Sequence, residues 1–357
     1  MRAAVLYGVN EKVEIRDDVE AHAPEAGEVR LHIRATGVCH SDLSGLNGTA
    51  PIGFPCVLGH EGAGEVIQVG QGVTDVAVGD HVIIAWTPPC GACRFCLGGQ
   101  PHLCLTVMLS SRPRFSCGDT LIEGFAGVGT FAEEVTVPRE AVVPIPKDVP
   151  FHVASLVGCA VMTGVGAAIN TAKVTPGSSV LVLGCGGVGI SAIQGARIAG
   201  AAEIVAVDRV ADKLAAAHHF GATEAVDPDG LPDVMRSITG GDGFDFAFEA
   251  IGSAATMRTA FDMTRRGGTT CIVGAGPMDQ VVEFSAFELF FAEKHLTGSY
   301  YGSGNVKTDF HRLLRLWRAG RLDLDSMISQ RITIDALQDA FGAMERGEGI
   351  RTVIEFD

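Results

Sequence analysis

The chain is poor in basic and aromatic residues. Its 27 Lys and Arg residues are outnumbered by 42 Asp and Glu residues, which gives a formal net charge of -15. No block of Lys or Arg interrupts this acidity, so binding of DNA or RNA through counterion release is disfavoured. The N-terminus has no signal-peptide apolar stretch, and the most apolar segment, residues 178–193, is interrupted by glycines. We therefore expect a cytoplasmic chain without a membrane-spanning helix.

Length and composition predict a compact chain of two domains. A chain of 357 residues is too long for one ordinary core, and 47% hydrophobic against 19% charged residues leaves little room for disordered tails. In a reducing compartment its ten Cys residues favour thiols or metal thiolates over disulfides. We expect four of them to be buried in apolar packing: Cys56, Cys117, Cys185 and Cys271.

The residue pattern changes near residue 160. Before it, short runs such as EVRLHIRATGV and GEVIQVG are divided by Gly, Pro and Asp turns, which indicates a β-rich region. From Ser178 onward, strand-like runs alternate with helical ones, including a helix predicted over residues 188–199, and such repeats predict a parallel sheet. The tail after Tyr301 contains two helical stretches, a strand signal at Ile332–Ile334 and a last strand near residues 350–356. We assign this tail to the first domain.

Four cysteines, Cys90, Cys93, Cys96 and Cys104, are spaced C-x2-C-x2-C-x7-C in a segment rich in Gly and Pro. This spacing lets four thiolates converge on one tetrahedral metal ion. An iron-sulfur cluster is the alternative, but the bacterial ferredoxin run places its fourth Cys after three residues and before Pro. We therefore predict a zinc ion, and because all four coordination positions are filled, its role is structural.

Gly184, Gly186 and Gly189 form a G-x-G-x-x-G motif between a strand-like run and a predicted helix. Such a loop brings backbone amides against a pyrophosphate at a helix N-terminus. Asp208 ends the next strand-like run, where a carboxylate accepts hydrogen bonds from the adenosine ribose and repels a 2'-phosphate. The motif predicts NAD rather than NADP, although Arg209 weakens the exclusion of NADP.

Three scattered residues complete the pattern: Cys39 in GVCHSDL, His60 in GHEGAGEV and Cys159 in VGCAVMTG. Together with the two motifs they resemble the zinc-containing, medium-chain alcohol dehydrogenase family, in its liver-type, class III-like branch. The resemblance runs from AAVLY at the start to GIRTVIEF at the end. GHEGAGEV, the four-Cys segment, GCAVMTG and GCGGVG are its most specific elements.

The resemblance implies an α/β fold of two domains. A GroES-like, β-rich catalytic domain would comprise residues 1–160 and 301–357, with a structural zinc lobe at about 88–106. A Rossmann coenzyme domain with a doubly wound parallel sheet would comprise residues 161–300. Two zinc ions and NAD per chain are the implied cofactors. A homodimer is expected, with its interface around Cys271 to Tyr300, and a homotetramer is the alternative.

The resemblance also assigns roles to individual residues. The family's catalytic zinc ligands match Cys39, His60 and Cys159, which leave one coordination position open for water or substrate. Asp42 matches the acid that orients the liganding His, Glu61 the inner acid behind the zinc, and Ser41 the hydroxyl that takes the substrate proton. The other implied coenzyme contacts are His40, Thr163, Gly187, Val188, Lys213, Val273 and Arg351. The implied substrate pocket consists of Trp86, Leu109, Phe125, Ala126, Ala275 and Tyr300.

The implied activity is reversible hydride transfer between a primary alcohol and NAD, which gives the aldehyde. An apolar pocket favours an aromatic, terpenoid or medium-chain aliphatic alcohol over a polyol, whose hydroxyls would be left unpaired. Two enzymatic alternatives stay open: a nicotinoprotein dehydrogenase or dismutase that keeps NAD(H) bound, and a polyol or secondary-alcohol dehydrogenase. A non-catalytic protein that retains the fold would have lost metal ligands, but Cys39, His60 and Cys159 are all present.

Three residues depart from the family pattern. Ser44 stands where the proton relay often ends in His, so the proton must leave through water or another group. His40 stands where many relatives carry Arg against the pyrophosphate, which predicts a pH-dependent contribution to coenzyme binding. Met108 stands where the glutathione-dependent formaldehyde dehydrogenase class has an anion-binding Arg. The last departure argues against a glutathione adduct as substrate.

Overall fold

The structure, a computed structural model, describes residues 1–109 and 112–357, except for the side chain of Leu109. The chain divides into two compact units. The first unit comprises Met1–Cys159, Asn305–Trp317 and Leu324–Asp357, and the second comprises Ala160–Gly304 and Arg318–Asp323. The domain boundaries predicted from the sequence stay predictions.

The first unit is built from two mixed sheets. Its strands are β1 (Ala3–Leu6), β2 (Glu14–Arg16), β3 (Glu20–Ala21), β4 (Glu28–Val38), β5 (Cys56–Val57), β6 (Glu61–Val69), β7 (His81–Ile84), β8 (Phe115–Cys117), β9 (Thr120–Gly124), β10 (Glu134–Pro138), β11 (Val142–Ile145), β18 (Ile328–Ile332) and β19 (Arg351–Glu355). One sheet has the order β2-β1-β5-β9-β8-β3. The other has the order β11-β7-β6-β4-β19-β18, and β10 also pairs with β4.

Strand β4 organises the second of these sheets. Its 11 residues pair antiparallel with β6 along one edge and with β10 and then β19 along the other. Leu31 and Ile33 alternate with half-buried polar residues, which is the period-two pattern of a strand with one buried face. The strand ends at Val38, so Cys39 is held at the end of a fully paired element.

The helices of the first unit are mostly short. They are α1 (His40–Leu46), α2 (Arg94–Leu97), α3 (Thr106–Leu109), α4 (Phe151–Leu156), α11 (Val306–Arg318), whose last residue belongs to the second unit, and α12 (Leu337–Glu345). The C-terminal segment contributes Leu337, Phe341 and Ile354 to the apolar core of this unit. The assignment of the tail to the same core as β1 and β4 therefore has a packing basis.

The second unit is a doubly wound sheet with all strand pairs parallel. Its strands are β12 (Ser179–Leu183), β13 (Glu203–Val207), β14 (Glu224–Val226), β15 (Phe244–Glu249), β16 (Thr264–Ile272) and β17 (His295–Gly298), in the order β14-β13-β12-β15-β16-β17. The helices are α5 (Met162–Gly166), α6 (Gly187–Ala199), α7 (Ala211–Phe220), α8 (Leu231–Thr239), α9 (Ala254–Met263) and α10 (Ala286–Ala292). The reversal of strand order at β12 is the switch point at which such sheets bind dinucleotides. The predicted fold class is confirmed.

One apolar helical run was not predicted from the sequence. Residues Phe151–Thr171 form 21 residues of helix in which α4 and α5 are each followed by a π-helical turn. By length and hydropathy it could cross a membrane, but 89% of its apolar window is buried within the protein. A core helix meets the same criterion, so the run carries no argument for a membrane. Because the run is buried on nearly all sides, it has no polar face that would give a helical period.

Two local predictions are wrong. The strand predicted at Ile332–Ile334 ends at Ile332, and Ile334–Ala336 form a short 3-10 helix that leads into α12. Thr333 has extended backbone and separates the two elements. The β-branched run at residues 332–334 therefore contains the last residue of the strand and the first residue of the 3-10 helix. Cys117 is half-buried rather than buried and lies 3.5 Å from an Arg16 guanidinium nitrogen, whereas Cys56, Cys185 and Cys271 are buried.

Candidate metal and coenzyme sites

The four-Cys segment folds into a closed cluster within the first unit. One sulfur atom from each of Cys90, Cys93, Cys96 and Cys104 lies within 4.8 Å of the others. The turn that allows this is local, because Cys93 precedes the four-residue helix α2 and Cys104 follows a 3-10 turn at Pro101–Leu103. A set of four sulfur donors suits a tetrahedral zinc ion and leaves no position for a substrate.

Backbone amides of the same segment point at the sulfurs. The Cys90 sulfur accepts hydrogen bonds from the amides of Ala92 (3.4 Å) and Cys93 (3.3 Å), and these bonds lower the pKa of Cys90 to about 6. The Cys104 sulfur accepts from the Cys90 amide at 3.3 Å. Amide donors favour thiolate over thiol, which is the form that binds a metal. The donor set and its surroundings therefore fit zinc.

The three scattered residues also come together within the first unit. Cys39 precedes α1, His60 directly precedes β6, Glu61 is the first residue of β6, and Cys159 lies in the π-helical turn Val157–Val161. One ligand atom from each of the four lies within 4.8 Å of the others, and all four residues are buried. Single π-helical turns within α-helices are frequent at functional sites.

Asp42 fixes the orientation of His60. Its Oδ1 accepts from the Nδ1 of His60 and from the amide of Gly59, each at 3.0 Å, and its Oδ2 accepts from the Cys39 amide at 3.0 Å. The His60 Nε2 is buried and has no hydrogen-bond partner among the described residues. A buried ring nitrogen without a partner costs free energy unless it binds something. The arrangement fits a metal ion at Nε2, with Nδ1 held by the acid.

The two thiols of this site shift each other's pKa in opposite directions. The hydrogen bond with Cys159, and then His60, holds the pKa of Cys39 well below its usual value despite burial. The same hydrogen bond and burial raise the pKa of Cys159 well above its usual value. Only a nearby cation stabilises both as thiolates, so the donor chemistry fits zinc here as well.

Glu61 lies behind this site and pairs with Arg351. The carboxylate and the guanidinium form a buried ion pair, and burial raises the pKa of Glu61 to about 7, although Arg351 opposes that shift. A Cβ atom at Gly37 would lie 2.0 Å from the Glu61 carboxylate, so glycine there makes room for the pair. Arg351 was predicted as a pyrophosphate contact; its pairing with Glu61 was not predicted, since 290 residues separate the two.

Aromatic rings surround His60. The ring of Phe125 packs edge-on at 5.5 Å between centroids, and that of Trp86 at 6.1 Å. Ala126 follows Phe125 in a short turn. Of the other predicted pocket residues, the Leu109 side chain lies outside the described residues, and Ala275 and Tyr300 lie exposed in the second unit.

The residues predicted for proton transfer lie on α1. The Ser41 hydroxyl is half-buried and lies 3.8 Å from the Cys39 sulfur, and Ser44 is half-buried one turn later. His40 is exposed at the start of the helix. The roles of these residues stay predictions.

The glycine loop of the second unit has the geometry that the motif predicts. Gly184 has φ of +94°, and a Cβ at Gly189 would lie 1.7 Å from the Gly184 carbonyl oxygen. Helix α6 begins at Gly187, and a Cβ at Gly186 would meet nothing within 4 Å, so the loop is open above its amides. The Asp208 carboxylate accepts from the amides of Cys185 (2.8 Å) and Val210 (3.0 Å), which fixes it beside the loop. The site fits NAD.

The remaining predicted coenzyme contacts also lie in the second unit. Thr163 is buried in α5, Val188 is half-buried in α6, and Val273 directly follows β16. Lys213 is half-buried in α7 and Arg209 is exposed. Their contacts with coenzyme stay predictions.

Comparisons with known proteins agree with this geometry. The family model of the alcohol dehydrogenase GroES-like domain matches residues 25–147, and that of zinc-binding dehydrogenases matches residues 187–318. S-(hydroxymethyl)glutathione dehydrogenase of Paracoccus denitrificans is 37% identical, over 99% of both chains. Among solved structures, benzyl alcohol dehydrogenase of Acinetobacter calcoaceticus has a TM-score of 0.92 at 30% identity, over 100% of this chain and 99% of that one. An alcohol dehydrogenase zinc-binding domain protein of Burkholderia ambifaria has a TM-score of 0.93 at 31% identity, over 100% and 98%.

Proposed function

This chain belongs to the zinc-containing, medium-chain alcohol dehydrogenase family and is an NAD-dependent zinc alcohol dehydrogenase, and we propose that its substrate is a primary alcohol with an apolar body. The product is the aldehyde, and the reaction is reversible. The observation that carries the proposal is the pair of rings, Phe125 and Trp86, that meet His60 edge-on beside the candidate ligands. Such a wall favours aromatic or aliphatic substrates, because the hydroxyls of a polyol would lose their hydrogen bonds to water there.

Cys39, His60 and Cys159 would hold the catalytic zinc, and the glycine loop with Asp208 would hold NAD. When bound, zinc acts as a Lewis acid that lowers the pKa of an alcohol, and NAD accepts the hydride. Asp42 keeps the Nδ1 of His60 occupied, so Nε2 stays directed at the metal position. Ser41 accepts the alcohol proton and passes it on. Because the hydroxyl of Ser44 cannot hold a proton near neutral pH, the proton then leaves through water.

Oxidation of S-(hydroxymethyl)glutathione is the second candidate, since a 37% identical relative carries that name. Two described cations that follow Met108 in the chain argue against it. Arg112 pairs with Glu25 (2.9 Å) and Glu28 (2.7 Å), and Arg114 pairs with Glu28 (3.0 Å). Both guanidinium groups are therefore neutralised by carboxylates and offer little attraction to the charged groups of glutathione.

A panel of alcohols assayed with NAD and NADP, after metal analysis, tests the proposal. We expect the highest kcat/KM for benzyl-type or medium-chain primary alcohols with NAD, and little activity with sorbitol or with formaldehyde plus glutathione. A higher kcat/KM with the glutathione adduct would establish the second candidate. Absorbance of the purified protein near the reduced-nicotinamide band would reveal a permanently bound coenzyme.

The proposed assembly is a homodimer formed through β17. This strand is at the edge of the parallel sheet, and apolar side chains around it are exposed, including Phe287 (67%), Phe290 (79%) and Leu296 (40%). An apolar patch beside an unpaired strand edge is typical of a subunit interface. Light scattering should give twice the chain mass, and Phe290→Asp should shift the protein toward monomer. A monomeric wild-type protein would reject this interface.

A further inference from the structure

The turn that carries Phe125 has an uncommon backbone. Residues Phe125–Gly127 form one 3-10 turn after β9, in which Ala126 has φ of 53° and Gly127 has φ of 76°. Left-handed conformation is unfavourable for a residue with a Cβ, so surrounding contacts must hold Ala126 there. The amides of Val128 and Gly129 donate to the Phe125 carbonyl at 3.0 and 3.2 Å, which closes the turn on one side.

The Gly127 carbonyl is held from the other side by Arg114. The Nε–H of Arg114 donates to this oxygen at 2.9 Å, and the Arg114 side chain is buried, with 4% of its surface exposed. Its backbone is fixed too, because its amide donates to Ile122 and its carbonyl accepts from His22. A Cβ at Gly124 would lie 3.1 Å from the Arg114 Cγ, so glycine at 124 lets the side chain pass beneath the turn.

Glu28 orients the guanidinium of Arg114. Its Oε1 accepts from the Nη1 of Arg114 at 3.0 Å, and its Oε2 accepts from Arg112 (2.7 Å) and from the Glu25 amide (3.0 Å). Burial opposes the charge on Glu28, but these donors outweigh it and keep its pKa below the usual value. The carboxylate is therefore charged at neutral pH, and Arg114 is locked between it and the turn.

We propose that Arg114 is a positioning residue that selects substrates by shape, because its bond to Gly127 holds the Phe125 ring beside His60. Arg114 belongs to neither candidate metal cluster. Arg114 and Ala126 line the same small cavity with Met108, so the Arg114 side chain lies directly against the turn. The inference rests on the proposed function, since Phe125 is taken as a wall of the alcohol pocket.

The test compares Arg114→Lys with Arg112→Lys. Both variants keep a positive charge near Glu28, but only the first loses the Nε–H that is bonded to Gly127. The readout is the ratio of kcat/KM for benzyl alcohol to that for 1-propanol, with zinc content measured in parallel. For Arg114→Lys we expect this ratio to fall by roughly tenfold, the effect of one lost hydrogen bond, mainly through the KM of benzyl alcohol. Arg112→Lys should keep the wild-type ratio.

If Arg114→Lys does not fold, the double variant Glu28→Gln/Arg114→Met takes its place. The double variant removes both members of the ion pair and so leaves no buried charge unpaired. The same fall in the ratio supports the inference. A ratio that stays at the wild-type value while both alcohols lose activity equally means a purely structural role and overturns it, as does an equal fall in Arg112→Lys. If the wild-type protein oxidises neither alcohol with NAD, the proposed function is wrong, and so is the inference that rests on it.

Discussion

The two candidate zinc sites differ in how far apart their ligands lie in the chain. The four sulfurs of the closed site come from one segment between Cys90 and Cys104, whereas the open site collects Cys39, His60 and Cys159 from three elements. The first cluster needs only a turn, a short helix and a 3-10 turn to form. The second needs a folded unit, because β4, β6 and a π-helical turn must be packed before the ligands meet. Metal binding at the first site should therefore stabilise a lobe, and at the second it should serve chemistry.

Cys93→Ser should have the largest effect on stability. A structural zinc site contributes about 10 kcal/mol or more of apparent binding free energy to the fold around it, so its loss should lower Tm by about 10 °C or more. Activity per folded molecule should change much less. The measurements are Tm by calorimetry and turnover normalised to titrated active sites, with Cys117→Ser as a matched control away from the cluster. A stable, zinc-loaded and inactive Cys93→Ser protein would reverse the division between the sites.

Asp42→Asn should weaken the open site selectively. The substitution keeps one oxygen acceptor but loses the charge that holds the Nδ1 of His60, and loss of such a partner of a liganding His costs about 10- to 100-fold in metal affinity. We expect one zinc ion to be lost readily to a chelator while the four-Cys zinc stays bound. Asp75→Asn is the matched control, since Asp75 pairs with Arg139 on the surface. Equal chelator sensitivity in both variants would contradict the role of Asp42.

The same difference in chain distance explains what could be predicted from the sequence. The four-Cys cluster, the glycine loop and the βα repeats depend on spacing within a few dozen residues. The structure brings the four sulfurs together and has the glycine loop between β12 and α6, and the coenzyme contacts of that loop stay predictions. The open site was predicted only because its three residues match a family. The Glu61–Arg351 and Glu28–Arg114 pairs join distant positions with no local signal, so neither was predicted. The helix at Phe151–Thr171 was not predicted from the sequence. It is buried on nearly all sides, so it has no polar face that would give a helical period.

Asp208→Gly should narrow the preference for NAD over NADP by about tenfold, because it removes hydrogen-bond acceptors for the ribose and the repulsion of a 2'-phosphate. The measurement is kcat/KM with both coenzymes. Asp208→Asn separates the two causes, since it keeps acceptor capacity and loses the charge. A wild-type kcat/KM with NADP at or above that with NAD would contradict the assignment of NAD, which rests on the local motif and Asp208.

Ser44→His should have the smallest effect. An imidazole with a pKa near 6.5 can accept the proton that Ser41 passes on, which should speed hydride transfer on the acid side of the pH profile by about tenfold. Above this pKa the neutral imidazole accepts protons, and as pH falls through it the gain disappears. Single-turnover hydride transfer against pH, with a deuterated alcohol to show that chemistry limits the rate, measures this. Ser44→Ala is the control, and an identical profile for all three proteins would remove residue 44 from the relay.

The most direct test of the account is metal analysis of three proteins side by side: wild type, Cys93→Ser and Cys159→Ser. The account predicts two zinc ions per wild-type chain, one for each ligand cluster, and one in each variant. Cys159→Ser should lose activity at nearly unchanged Tm, and Cys93→Ser should show the opposite pattern. One zinc per wild-type chain, iron in place of zinc, or the same pattern of losses in both variants would contradict it.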